Sequence, residues 1–140
     1  MNKTEIESVF DVVKSCDATV LVSFGEDGYP DARDVTNIMN KNNRTTDLYF
    51  MTGRGTPKYK QLSQNPKCCL YYFNPSTRYS VRLYGEMHFI TDKNIRQQHW
   101  NDDYRAYGYG GADDSEFILM KFVPHAYKYY IGSEQKQGTF

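Results

Sequence analysis

The stretch MTGRGTPKYKQL at residues 51–62 carries the residue types of a phosphate site. Its two glycines let the backbone approach an anion, and Thr56 followed by Pro57 is typical of a helix N-terminus. Lys58 adds a positive charge where the first N–H groups of that helix point outward. The spacing differs from that of a Walker loop, so an ordinary solvated loop is the alternative interpretation.

Other reactive side chains are scattered along the chain. They are His88, His99, His125, Cys16, Cys68 and Cys69. The histidines form no nucleophile or metal-ligand pattern, and we predict no metal site. The odd cysteine count with one adjacent pair argues against a disulfide framework, and we interpret these residues as buried thiols. Any redox chemistry must therefore come from a cofactor.

The length and charge of the chain exclude several classes of protein. With 140 residues it has the size of one domain, predicted over residues 1–140, and its polar tail at 132–140 is expected to be disordered unless a partner holds it. The 17 basic and 17 acidic residues cancel, so no general attraction to nucleic acid or membrane is implied. No apolar run resembles a membrane span or a signal peptide, and we expect a cytoplasmic protein.

Aromatic residues are unusually abundant, with 13 tyrosines, 8 phenylalanines and one tryptophan. Tyrosine suits surfaces that are partly apolar and partly wet, which favours a protein interface or a flat ligand. Tyrosine is also a good strand former, so a β-rich fold explains part of the count.

The elements that must position these residues are mostly strands. Helices are predicted near the N-terminus and at residues 57–62 and 93–104, and strands at residues 19–24, 32–39, 48–52, 67–73, 79–90, 117–123 and 126–131. Gly85 predicts a bend or bulge in the long fifth strand, and Pro124 predicts a break before the last one. The pattern indicates a mainly β protein, a barrel of six to seven strands with peripheral helices.

Several segments in this order carry a resemblance to a known family. They are LVSFGEDGYPDAR at 21–33, LYFMT at 48–52 with TPK at 56–58 and NP at 65–66, VRLYGE at 81–86, and the portion from 100 to 124. Together they resemble the flavin-mononucleotide (FMN)-binding split-barrel family, which contains pyridoxamine 5'-phosphate oxidase and the small bacterial general-stress proteins. The resemblance covers nearly the whole chain and is closest to the general-stress-protein branch.

This resemblance implies a split β-barrel that binds FMN, forms a homodimer and holds the flavin between its subunits. It implies an oxidoreductase that performs two-electron chemistry on an unknown small molecule, with a nicotinamide cofactor or another reductant as electron source. The alternative is a stress protein that binds flavin or haem without significant turnover, with one of the three histidines as a haem ligand.

Matching positions imply the cofactor-binding residues. For the phosphate, the matches are Arg33, Lys58, Thr52 and Thr56. For the ring and ribityl chain, they are Val35, Thr36, Asn37, Met51 and Thr52, with Ser80 on the long strand. Catalytic residues remain unknown.

Several other residues have two readings of similar weight. Arg54 is either an additional cation at the site or a solvated loop arginine, and Arg82 is either a site cation or part of a cross-strand salt bridge. The aromatic residues Trp100, Tyr104 and Tyr107 either line the pocket of a partner subunit or anchor their own helix, and anchoring is favoured for Trp100.

The resemblance ends near the C-terminus. The arginine- and tryptophan-bearing segments of pyridoxamine 5'-phosphate oxidases have no clear match in AYKYYI at residues 126–131. Flavin binding is therefore carried over, whereas oxidation of a B6 vitamer is not.

Overall fold

A computed structural model describes residues 3–36 and 47–140 of the chain. The helices are α1 (Lys3–Lys14), α2 (Pro57–Gln64) and α3 (Lys93–Gln98), with a 3₁₀ helix at Asp102–Tyr107. The strands are β1 (Thr19–Phe24), β2 (Pro30–Val35), β3 (Leu48–Gly53), β4 (Lys67–Phe73), β5 (Ser80–Ile90), β6 (Phe117–Ile131) and β7 (Glu134–Thr139). Among the described helices, none has the length and apolar character needed to cross a membrane.

The seven strands of the described ranges form one antiparallel sheet in the order β2-β1-β4-β5-β6-β3, with β7 also paired to β6. The first part of β6 pairs with β3 and its last part pairs with β7, because its 15 residues are long enough to serve both neighbours. These pairings leave β2 and β3 as the two ends of the strand order. The predicted mainly β architecture is confirmed.

The helix α2 links these two ends. It follows β3 directly and packs against both β1 and β3, and its Leu62 is buried in the main core. On the inner face of the sheet, the cross-strand row Leu21, Leu70, Leu83 and Tyr127 is buried. Alternation along β1, β4 and β5 therefore separates a packed inner face from an outer face.

Gly85 lies at an irregularity in the pairing of β5 with β6, where the register shifts between Tyr84 and Gly85. A Cβ at Gly85 would collide with the carbonyl oxygen of Val123 on the neighbouring strand. The bulge predicted at this glycine is confirmed. The break predicted at Pro124 is wrong, since β6 continues through it. Pro124 pairs opposite Gly85 at the shift, where a residue without an N–H disturbs the ladder least.

The predicted helix at 93–104 is also wrong in extent. The helix α3 ends at Gln98, and Asn101 adopts an extended conformation and caps a separate 3₁₀ helix with its side-chain oxygen. Asparagine competes with helical hydrogen bonds in this way, which divides the segment.

The C-terminal tail is ordered by its own chain. Residues Glu134–Thr139 pair with Ala126–Ile131 as β7, and the Phe140 ring packs against Phe10 and Tyr127. Gly132 has a φ of 63°, which turns the chain back onto β6. The expectation of disorder was based on the polarity of the tail alone. It is wrong because the tail pairs with β6 as a hairpin.

Candidate functional site

The N-terminus of α2 is built as the sequence predicts. The Thr56 side chain accepts a hydrogen bond from the Tyr59 N–H at 3.3 Å, and Pro57 occupies the first turn. The Thr56 hydroxyl also lies 2.9 Å from that of Thr52, which is buried at the end of β3. Two of the predicted residues are thus in direct contact, and they fix the direction in which α2 leaves the strand.

Lys58 is a partly buried cation at this helix start. Burial lowers the pKa of Lys58, the nearby positive charge of Arg33 lowers it further, and Asp34 partly offsets both. Within residues 3–36 and 47–140, no carboxylate forms an ion pair with Lys58. In the same ranges, the Lys58 backbone N–H donates to no backbone carbonyl. The ammonium group and this N–H are therefore available to an anion.

Arg33 is held by a network of hydrogen bonds on the inner side of the hairpin. Its Nη1 donates to the Leu21 carbonyl at 3.2 Å and to the Ser23 hydroxyl at 2.8 Å. Its Nη2 donates to Gln61 Oε1 at 2.8 Å and lies 3.1 Å from Asp31 Oδ2. Four of the five donors that a guanidinium offers are thereby used within the protein. Arg33 supplies a fixed charge beside Lys58, with little remaining hydrogen-bonding capacity.

The residues predicted to contact a ring flank the two ends of the strand order. Val35 belongs to the buried core, so only its backbone can face a ligand, whereas Thr36 is exposed just beyond β2. Met51 on β3 is partly buried. Asn37 lies outside the described residues, as do the last residues of the strand predicted at 32–39.

Ser80 lies apart from the other predicted residues. Its strand β5 is separated from β2 by β1 and β4, which amounts to roughly 14 Å across a sheet with about 4.8 Å between strands. Ser80 pairs directly with Phe73 and Tyr130, whose side chains are exposed on the outer face. Within one chain, Ser80 therefore does not join the group around Lys58.

The two arginines of uncertain role have different surroundings. Arg54 Nε donates to the Ser115 carbonyl at 2.8 Å, and its guanidinium lies 5.6 Å from the centre of the Tyr59 ring, so it ties the loop to α2. Arg82 has Tyr71 and Lys128 as its cross-strand neighbours. Neither is acidic, so the cross-strand salt bridge considered for Arg82 is not formed with these partners.

The aromatic residues after α3 form a second cluster around Phe117. Trp100 packs edge-on to Phe117 at 5.2 Å and donates from Nε1 to Asp102 at 2.9 Å. Tyr104 joins the same cluster, whereas Tyr107 is 73% exposed. The anchoring role favoured for Trp100 agrees with this packing.

The histidines and cysteines lie outside the Arg33 network. His88 and His125 are exposed on either side of Glu86, at 3.9 and 3.3 Å, and His99 stacks on Tyr49. Cys16 and Cys68 are buried, and Cys69 is partly buried. Burial raises the pKa of Cys68 to about 12, which makes its thiol a poor nucleophile near neutral pH.

A cleft of about 970 Å³ separates the β1–β2 turn from α2. The Lys60–Glu26 ion pair, at 2.8 Å, links residues on its two walls, and Asp31, Thr56 and Gln61 also line it. The cleft therefore adjoins the Arg33 network through Asp31 and Gln61, and Lys58 does not line it.

Sequence reasoning missed three members of the network: Ser23, Asp31 and Gln61. Ser23 and Asp31 are direct cross-strand partners, and Arg33 lies two residues beyond Asp31 on the same face of β2. Asp31 lies outside the strand predicted at 32–39, whereas β2 begins at Pro30. The contribution of Gln61 was not readable, because the docking of α2 on β1 brings together residues far apart in sequence.

Comparison of sequences finds a family match over nearly the whole chain. Residues 4–140 match the model of the family described as pyridoxamine 5'-phosphate oxidase like. A pyridoxine/pyridoxamine 5'-phosphate oxidase of Christiangramia forsetii is 31% identical over 81 residues, which cover 58% of this chain and 36% of that protein. The matched part thus spans little more than a third of this curated relative.

Solved structures share the fold at low sequence identity. A Clostridium acetobutylicum protein related to general stress protein 26 superposes with a TM-score of 0.81 and 20% identity, covering 100% of this chain and 97% of that one. An FMN-binding, pyridoxamine 5'-phosphate oxidase-related protein of Nostoc punctiforme has a TM-score of 0.67 and 18% identity, covering 96% and 85%. A haem-binding protein of Mycobacterium smegmatis has a TM-score of 0.75 and 12% identity, covering 99% and 59%.

Proposed function

Because the chain belongs to the pyridoxamine 5'-phosphate oxidase-like family, we propose that it is a single-domain flavoprotein that binds FMN and acts as an oxidoreductase. The observation that carries this proposal is Lys58, a partly buried cation beside a second cation at a helix start, without an ion-pair partner in the described ranges. Such a charge arrangement favours an anion, and the FMN phosphate is a dianion over most of the neutral range.

The donors near Lys58 suit a phosphate group. The Lys58 ammonium and backbone N–H supply a charge and a donor, whereas the Thr56 hydroxyl donates to the Gly53 carbonyl at 2.9 Å and maintains the cap of α2. The Arg33 guanidinium adds a fixed positive charge, since most of its donors are used by the protein. Lys58 would then contact the phosphate most directly, with Arg33 raising the local potential.

The flavin ring would lie between the ends of β2 and β3. Both are end strands of the sheet order and offer backbone groups to the polar edge of a flat ligand. Val35, Thr36, Met51 and Thr52 border this position, and the same proposal includes Asn37. When bound, the flavin would supply the two-electron chemistry, and the protein would bind, orient and shield it.

A second copy of the chain is the partner proposed for this site. Four exposed aromatic side chains, Phe24, Tyr71, Phe73 and Tyr130, lie on the outer face of β1, β4 and β6. Exposed aromatic side chains on one face of a sheet are typical of an interface. Ser80 is flanked by two of these residues, so its predicted contact with the flavin would come from the partner subunit.

Titration of the flavin-free protein with FMN and with riboflavin tests the proposal. We expect the fluorescence of FMN to be quenched on binding. FMN should bind at least tenfold more tightly than riboflavin, because only FMN carries the phosphate. Equal affinity for both would contradict a dedicated phosphate site, and binding of neither would overturn the flavoprotein proposal.

A visible spectrum of the purified protein separates the flavin from haem, the alternative that the Mycobacterium smegmatis neighbour raises. A double band in the visible region indicates flavin, whereas one sharp intense band indicates haem. Anaerobic addition of NADH to the flavin-loaded protein then distinguishes turnover from storage. Bleaching of the flavin band would support an oxidoreductase with a nicotinamide reductant, and no bleaching with any reductant tried would favour storage.

A further inference from the structure

Gln61 has the most specific set of contacts near the site. Its side-chain oxygen accepts from the Ser23 hydroxyl at 2.6 Å and from Arg33 Nη2 at 2.8 Å. Its side-chain nitrogen donates to Asp31 Oδ2 at 2.9 Å. Gln61 is 9% exposed, so these hydrogen bonds are shielded from water. One amide therefore joins α2 to both strands of the hairpin.

The donor and acceptor roles in this network are mutually consistent. Ser23 accepts from Arg33 Nη1 and donates to Gln61, which closes a ring of three hydrogen bonds with Arg33 Nη2. The amide cannot be reversed without placing its NH₂ group against the guanidinium. Glutamine at this position thus fixes both the position and the orientation of Arg33.

Asp31 is the counterion within the network. It lies 3.1 Å from Arg33 Nη2, and hydrogen bonding from Gln61 together with the Arg33 charge lowers the pKa of Asp31. The carboxylate is half exposed and contacts the same nitrogen that donates to Gln61. It therefore reduces the positive potential that Arg33 offers to an incoming anion.

We propose that Gln61 is a positioning residue that locks the Arg33 cation beside Lys58, and that it thereby sets the preference of the site for a phosphorylated ligand. Asp31 opposes this preference, because its carboxylate partly neutralises the positive charge of Arg33. The inference rests on the proposed function for the identity of the ligand, whereas the immobilisation of Arg33 is independent of any ligand.

The immobilisation of Arg33 can be tested in the ligand-free protein. In low-temperature nitrogen-edited NMR spectra, we expect separate resonances for the Arg33 Nη protons of the wild type, assigned by their loss in Arg33→Lys. In Gln61→Leu the Nη2 resonances should merge, because Nη2 loses its Gln61 acceptor and rotates faster, whereas the exposed control Gln97→Leu should leave them separate. Resonances that stay separate in a folded Gln61→Leu variant would overturn the proposal.

The ratio of FMN affinity to riboflavin affinity tests whether the immobilisation of Arg33 sets the preference for a phosphorylated ligand. Gln61→Leu should weaken FMN binding by roughly 10- to 100-fold and leave riboflavin binding nearly unchanged. Asp31→Asn should tighten FMN binding about two- to fivefold, the range expected for a partly exposed ion pair. The exchange Gln61→Glu with Asp31→Asn keeps an acceptor for Ser23 and Arg33 at position 61 and should restore discrimination relative to Gln61→Leu.

The outcomes separate this inference from the proposed function. Equal loss of FMN and riboflavin in Gln61→Leu would show a merely structural role and overturn the positioning claim. If the wild type binds no flavin, the proposed function fails. The NMR comparison then decides whether Gln61 positions Arg33, with inorganic phosphate replacing FMN in the binding assays.

Discussion

At the scale of single residues, Lys58 and Lys60 provide a matched pair. Both lie on α2, but Lys60 is exposed and ion-paired with Glu26, whereas Lys58 is partly buried beside Arg33. We expect Lys58→Gln to weaken FMN binding by about 1.5 to 3 kcal/mol through loss of a charge-assisted contact. Fluorescence titration measures this change. Lys60→Gln should leave FMN affinity nearly unchanged, and similar losses in both variants would point to a general charge effect.

At the scale of elements, the bulge between β5 and β6 depends on Gly85. A Cβ there would meet the Val123 carbonyl and would lie 2.9 Å from Phe122 Cζ. We expect Gly85→Ala to destabilise the fold by about 1 to 3 kcal/mol, as overpacking does. Urea unfolding measures this cost. Gly55→Ala, where a Cβ would meet nothing within 4 Å, is the control and should be nearly neutral.

The attachment of α1 to the sheet predicts a pH dependence. The buried Tyr127 hydroxyl donates to Glu5 at 2.6 Å, and burial together with this bond raises the pKa of Tyr127 to about 12. An acid with a folded pKa above its unfolded value, near 10, stabilises the fold below pH 10 and loses that contribution as pH rises towards 12. We therefore expect the stability difference between wild type and Tyr127→Phe to shrink over this interval.

Urea unfolding at a series of pH values measures that difference. The exposed Tyr107 provides the control, since Tyr107→Phe should differ little from wild type at any pH. A wild-type advantage over Tyr127→Phe that stays constant from pH 8 to pH 12 would contradict the assignment.

At the scale of the whole molecule, the outer sheet face predicts association. Replacing Tyr71, which is 37% exposed in the middle of this face, with lysine should dissociate the proposed dimer by placing a charge in an apolar interface. Light scattering after size-exclusion chromatography reports the mass. Tyr29→Lys is the control, because Tyr29 is 72% exposed in the β1–β2 turn, outside the strands that form this face. A wild-type protein that is monomeric in solution would contradict the proposed dimer.

Local sequence patterns were sufficient to predict most helices and strands of the fold. Strands β1 and β4 have the predicted bounds, because alternation of buried and exposed residues is a property of the strand itself. The cap at Thr56 and the bulge at Gly85 follow from the residue types at those positions. Family resemblance added Arg33 and Lys58, whose charges approach each other in the structure.

Only the tertiary structure determined the features that depend on contacts between residues distant in sequence. Polar β7 is ordered because β6 offers it a free edge, and Ser80 is separated from Lys58 by the strand order. The contact of Gln61 with Ser23 and Arg33 exists because α2 docks on the β1–β2 hairpin. The sequence by itself determined which residues carry charge and where the chain turns. Which donors stay available to a ligand depends on packing across the sheet, since that packing assigns each hydrogen bond its partner.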